Sequence, residues 1–218
     1  MLIAVLALLV IASLPAFNAE AQDIPHEEIR TPTEVRDLVD LFARMKFSWS
    51  TTREGEMTED VDLEYRYLGE ESLEGETVDK ISLDSWNHGQ KNFESALLLE
   101  GTEIRQAELD GQIIPGEMVQ MMGEGMLETV FLPFYEFDSI HLRDLEKYGE
   151  VSRSQVELEN IELDLIGVEV QRPEEYNIEY IRVELAEFDD FYMLYSYELV
   201  ELEDDVERNF IVTDIEER

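Results

Sequence analysis

The side chains able to do chemistry in this chain are three histidines, His26, His88 and His141, and a great many carboxylates; there is no cysteine. Zinc would need the histidines to converge or to recruit acids, and neither His-x3-His nor His-Glu-x-x-His occurs. Asp60, Asp62 and Glu64 alternate, so a strand there turns three carboxylates to one side, in the manner of a cation site. A calcium loop instead places its acids at alternate positions of a turn, with a glycine and a glutamate at the twelfth position. That pattern is absent, and a solvated strand face is the simpler reading. Asp189-Asp190 and Glu203-Asp204-Asp205 have the form of turn tips that could hold Ca2+ or Na+ weakly. Serine, histidine and aspartate are all present, but no Gly-x-Ser-x-Gly elbow and no phosphate-cradling glycine loop positions them. No catalytic residue, metal ligand or cofactor is assigned on this reading.

The apolar residues are less ordinary. Met118, Met121, Met122 and Met126 place four of the eight methionines within about two helical turns. Methionine is flexible and polarizable and suits an apolar surface that must adapt to a ligand; it equally fills an irregular core. The aromatic run Phe131, Phe134, Tyr135, Phe137 follows, and the strand Phe191–Tyr197 carries large side chains on both faces, as a covered sheet or an apolar cavity would require. The candidate ligand-binding residues are Met118, Met122, Met126, Leu127, Phe131 and Phe134, with Trp49 and Tyr195 from the strands.

The elements that must position them follow from periodicity. Thr31-Pro32-Thr33-Glu34 reads as a capping box, and Val35, Leu38, Val39, Phe42 and Met45 recur at helical spacing. This predicts an amphipathic helix of about four turns ending near Lys46. The period then drops to two: Phe47-Ser-Trp49, Val61 to Tyr67 and Val78 to Leu83 read as strands, with Gly69 to Gly75 as a turn region. Gly101-Thr102 and Asp110-Gly111 mark hairpins. Helical spacing returns over Gly116 to Leu132 and over Ser139 to Tyr148, with Gly149 just beyond as C′ residue. The remainder alternates in strands. The expectation is an α+β fold: a strongly curved antiparallel sheet, a half-barrel of about ten strands, with two or three helices packed on its concave side.

Residues 1–21 read as a signal peptide. Leu2 to Phe17 is apolar, and at 16 residues it is short of the ~20 needed to span a bilayer; Ala19-Glu-Ala21 supplies a cleavage pattern. No basic residue precedes the run, so an N-terminal anchor is the alternative. Residues 22–30 form a polar lead-in, and residues 31–218 one domain. The 53 acidic and 16 basic residues leave a net charge of −37. Self-repulsion of that size is screened only in concentrated salt, which points to a saline habitat. It excludes a nucleic-acid partner, which would require a basic footprint, and charge-driven adhesion to anionic membranes.

The opening helix, Phe47-Ser-Trp49-Ser-Thr-Thr, Tyr67-Leu-Gly69-Glu-Glu-Ser-Leu-Glu-Gly75-Glu-Thr-Val-Asp-Lys-Ile-Ser-Leu83, and the Leu99-Glu-Gly101 and Glu108-Leu-Asp-Gly111 hairpins are followed by a helical insertion and further strands. In that order they resemble the LolA/LppX-type lipoprotein-carrier superfamily and its secreted relatives. The resemblance implies a half-barrel lidded by helices, with Gly116 to Leu132 as lid and an apolar cavity for acyl chains. Three functions stay open: an exported binding protein or carrier for a lipid or other apolar ligand, a non-catalytic cell-surface interaction domain with a solid core, and a hydrolase with an unrecognised site.

Overall fold

A computed structural model describes residues 24–140, 142–171, 178–202 and 205–218, without the side chains of 120–129 and 139. The leader, His141 and the Glu203-Asp204 part of one acidic turn lie outside the described residues.

Eleven strands form one antiparallel sheet: β1 (Phe42–Arg53), β2 (Glu56–Leu73), β3 (Glu76–Asn87), β4 (Gln90–Glu100), β5 (Glu103–Leu109), β6 (Gln112–Pro115), β7 (Glu150–Glu157), β8 (Glu162–Gln171), β9 (Ile178–Glu187), β10 (Tyr192–Glu201) and β11 (Val206–Glu217). Their order is β6-β5-β4-β3-β2-β1-β11-β10-β9-β8-β7. The chain therefore starts in the middle of the sheet, meanders out to β6, crosses to the opposite edge at β7, and meanders back until β11 closes on β1. The crossing is helical, through α2 (Gly116–Ser139) and α3 (Leu142–Tyr148). The α+β class and the antiparallel sheet agree with the sequence reading, with one strand more than the ten or so expected.

Two-residue turns set the registers. At Glu54-Gly55, Glu74-Gly75, His88-Gly89 and Asp110-Gly111 both residues have positive φ, the type I′ geometry that matches strand twist and that favours glycine in its second position. Gly69 is not part of a turn. It sits at a register shift after Tyr67 with φ near 100°, so β2 continues to Leu73 where the sequence suggested a break.

The first helix also differs from expectation. α1 spans only Val35–Leu41, capped by a Glu34–Asp37 box in which the Asp37 carboxylate accepts from the backbone N–H of Thr33 and Glu34 at 2.8 and 2.9 Å. From Phe42 the chain is β1. A register shift between Phe42 and Arg44 leaves Ala43 unpaired, so the buried Phe42 and Met45 stand three residues apart within a strand and mimic helical spacing. The lead-in is docked as well: Ile24 N–H donates to Glu146 Oε1 at 2.8 Å, His26 Nε2 lies 2.5 Å from Glu146 Oε2, and Arg30 N–H donates to Tyr192 O.

One face of the sheet carries the core. Phe42, Phe47, Leu63, Tyr65, Leu83 and Leu97 are fully buried under α1 and α2. The other face holds a charge ladder across four strands. Arg44 Nε donates to Glu64 at 3.0 Å and Arg44 Nη1 faces Asp214 Oδ2 at 3.0 Å outside hydrogen-bond geometry, while Arg66 Nη2 donates to Asp84 at 3.0 Å. Asp84 and Asp214 are buried, so an arginine beside each carboxylate is what makes that burial tolerable.

Candidate ligand-binding cleft beneath the long helix

α2 begins hard against the sheet. A Cβ at Gly116 would lie 2.1 Å from the Ile104 carbonyl oxygen, so only glycine lets the helix start so close to β5. The helix packs on β5 and β6 and later on β10. It outruns the expected end at Leu132 and continues through Pro133 to Ser139, where tertiary packing outweighs the hydrogen bond that proline forfeits.

Its second half is held by an aromatic cluster and by polar bonds, among them the Tyr135 hydroxyl donating to Thr33 O at 2.9 Å. Phe134 is fully buried, edge-on to Phe47 and Phe210 at centroid separations of 5.7 and 5.5 Å, and Phe210 stacks on Tyr197 at 5.8 Å. The Tyr197 hydroxyl donates to Glu136 Oε2 at 2.5 Å. Burial, then the charge of Glu136, pushes the Tyr197 phenol well above its usual range, so it stays a donor at every physiological pH. Arg208 lies 3.9 Å from Glu136 Oε1 and 2.5 Å from Glu201.

Beside this anchor a cleft of about 370 Å3 opens between α2 and the ends of β1, β2, β10 and β11. Leu132 and Glu136 form its helical wall; Trp49, Thr51, Tyr197 and Arg208 are on the sheet side. Trp49 is 8% exposed, and its indole Nε1, a buried donor, has no hydrogen-bond partner among the described residues. The lining is mixed: Trp49, Tyr197 and Leu132 supply aromatic and apolar surface, and Ser50, Thr51, Arg53, Thr58, Glu59, Glu136 and Arg208 make the rest of it polar.

The structure places the candidate residues unevenly. Trp49 lines the cleft. Phe131 and Phe134 are buried on the sheet-facing side of α2. Met118 is 48% exposed at the start of α2. The side chains of Met122, Met126 and Leu127 lie outside the described residues. Tyr195 falls at a register shift between Leu194 and Ser196; its phenol is raised by burial and then by Glu184, the carboxylate that accepts from Ser196. The sequence reading named Tyr195; Tyr197, two residues on, lines the cleft. Leu132, Glu136 and Arg208 carry no sequence signal that singles them out.

A second polar cluster fixes α1 over the core. Asp79 accepts from Arg36 at 2.6 Å and from the Tyr67 hydroxyl at 2.9 Å, and the Arg218 guanidinium lies 3.9 Å above the Tyr67 ring while donating to Val39 O. Burial by itself would raise the Asp79 carboxyl, but the bonds from Tyr67 and Arg36 outweigh it and hold the group below the usual carboxylate range. The three acids Asp60, Asp62 and Glu64 do not gather on a cation: Asp62 takes the Ser48 hydroxyl, Glu64 takes Arg44, and Asp60 lies 3.9 Å from His88. Among the described residues no group of three or more His, Asp or Glu side chains is arranged to hold a metal. Nor is any helix there long and apolar enough to cross a membrane.

No family model matches the chain, and no curated protein matches it. Solved structures with a similar course of chain include MucB in complex with MucA(peri), at 11% identity over 84% of this chain and 52% of that one, TM-score 0.35. A LolA superfamily protein, NE2245 from Nitrosomonas europaea, matches at 7% identity over 82% and 86%, TM-score 0.24. A DUF1329 family protein from Desulfovibrio piger matches at 8% identity over 84% and 88%, TM-score 0.28. A protein of the LolA superfamily, the one the sequence resembles, is thus among these matches. The chain spans about half the length of the MucB chain it matches.

Proposed function

We propose that this chain is an exported binding protein for a lipid or other apolar ligand, a carrier-type module of the cell envelope, with α2 as the lid over a curved sheet. The observation that carries the reading is the cleft between α2 and the sheet, where the Trp49 and Tyr197 rings and the exposed Leu132 meet a polar rim. Its size, about 370 Å3, lies within the usual range of ligand sites, roughly 300–1,000 Å3. The curvature is supported by the topology: one helical crossing joins the two edges of an eleven-stranded sheet, and α2 touches β5, β6 and β10 on the way. Export is supported by the apolar leader of residues 1–21.

A second reading, an interaction domain with a solid core, is favoured by the tight seating of Phe134 between Phe47 and Phe210. A fluorescent fatty-acid probe and native mass spectrometry of protein purified from its host separate the two. The expected result is a co-purifying lipid and saturable probe binding that Leu132→Trp, which fills the cleft, abolishes without lowering the melting temperature. No lipid and no probe binding by the parent protein would leave the solid-core reading in place.

A further inference from the structure

The two edges of the sheet are treated differently. β6 is four residues long, ends in Pro115 and is packed by α2. β7 is eight residues long, pairs with β8 in a register without shifts, and six of its residues are exposed. Its sequence, Glu-Val-Ser-Arg-Ser-Gln-Val-Glu, has no proline, no lysine and no bulge, and of the usual edge protections carries only the charges of Glu150, Arg153 and Glu157. Among the described residues no strand lies beside its outer edge, which leaves the backbone N–H and C=O groups there open to another strand.

The charges around this edge specify what that strand must be. Glu150 stands directly opposite Glu169 and Glu157 directly opposite Glu162, like-charge pairs at both ends of the same ladder. Such pairs are unfavourable; Arg182, which stands opposite Glu169 on its other side, donates to Glu184 at 2.6 Å. Beside the first pair a cleft of about 390 Å3 is lined by Tyr148, Glu150, Ser152, Glu169 and Gln171. Tyr148 is 64% exposed, and no cation lines the cleft among the described residues. An aromatic face, two carboxylates and neutral acceptors form a receptacle for a lysine or arginine side chain. A second copy of this chain fits poorly, because antiparallel self-pairing of β7 end to end would set Glu150 against Glu157.

We infer that β7 is a docking edge for a basic, extended segment of another protein, which adds to the sheet as a twelfth strand and places a lysine or arginine between Tyr148, Glu150 and Glu169. The site is separate from the cleft beneath α2 and does not depend on the lipid reading.

The test uses the full chain and a labelled eight-residue peptide of alternating lysine and valine, followed by fluorescence anisotropy at about 0.15 M salt, where charges beyond about 8 Å are screened. Binding is expected, with gain of hydrogen-exchange protection at residues 150–157. Glu150→Gln with Glu157→Gln should weaken it by about tenfold. Glu70→Gln with Glu103→Gln, an equal charge change elsewhere on the surface, should leave it unchanged. A peptide methylated at alternate backbone nitrogens should not bind. The proposal is overturned if the methylated peptide binds equally, if both double variants lose affinity alike, if the parent protein does not bind the peptide, or if sedimentation shows a dimer through β7.

Discussion

At the scale of single residues, Tyr197 and Trp49 make opposite predictions from the same cleft. The Tyr197 hydroxyl is buried and spent on the Glu136 carboxylate, which anchors α2 to β10. Tyr197→Phe removes this bond from the carboxylate and should cost about 1.5–3 kcal/mol in urea unfolding, as loss of a hydrogen bond to a charged group does. The Trp49 N–H has no partner among the described residues, so Trp49→Phe forfeits no hydrogen bond and should cost less in the same unfolding measurement, through lost packing alone. Asp79 gives a pH prediction. Its folded carboxyl is held below the ordinary range by Tyr67 and Arg36, so its stabilisation is complete above the unfolded carboxylate value and disappears as the pH falls through the lowered folded one. Asp79→Asn should therefore be less stable than the parent protein at neutral pH, and the two melting curves should converge in strong acid. A difference that persists unchanged at low pH would assign Asp79 no such role.

At the scale of elements, the start of α2 is the critical contact. Gly116→Ala drives a methyl group into the Ile104 carbonyl and should cost about 1–3 kcal/mol, the range for overpacking, with the loss measurable by thermal unfolding. The same scale shows how far the sequence could be read. Alternation found most strands because each buries one face, and Asp110-Gly111 and Gly101-Thr102 announced their hairpins. Glu54-Gly55, Glu74-Gly75 and His88-Gly89 use the same two-residue geometry, but Glu and His are weaker formers of it than Asp or Asn: the first went unmarked, and the second was read only as the end of a longer turn region from Gly69. The misread stretches share a cause: at Ala43 and near Gly69 an extra residue shifts the register. A bulge erases the period-two signal locally, turning a strand start into an apparent helix in β1 and suggesting a break in β2. The cleft itself depends on which segments meet across the fold, and only Trp49 of its wall was named in advance.

At the scale of the whole molecule, a net charge of −37 on 218 residues acts on every equilibrium. The fold answers locally, placing Arg44 and Arg66 beside the carboxylates that the sheet buries, but the acids far outnumber the 16 basic residues that could pair with them. Raising salt from about 0.1 M to about 2 M shortens the screening length from about 10 Å to under about 3 Å, so the melting temperature should climb across that interval in KCl and NaCl alike. A flat or falling melting temperature would argue that the surface is acidic for a reason other than salt. Binding of a basic segment at β7 should weaken over the same interval in which the fold gains stability, so the working salt concentration sets a compromise between the two.

The meander topology has a mechanical side. β1 and β11 run antiparallel as the single seam between two half-sheets, and their paired ends, Phe42 and Glu217, lie side by side, with the Arg218 N–H on the Leu41 carbonyl. A pull applied to the two ends of the domain would load this seam one rung at a time, as a zipper rather than in shear. Tension would then part the molecule into β1–β6 and β7–β11, with the crossing helices as the remaining tether, and would open the core along the strands that carry Phe47 and Phe210.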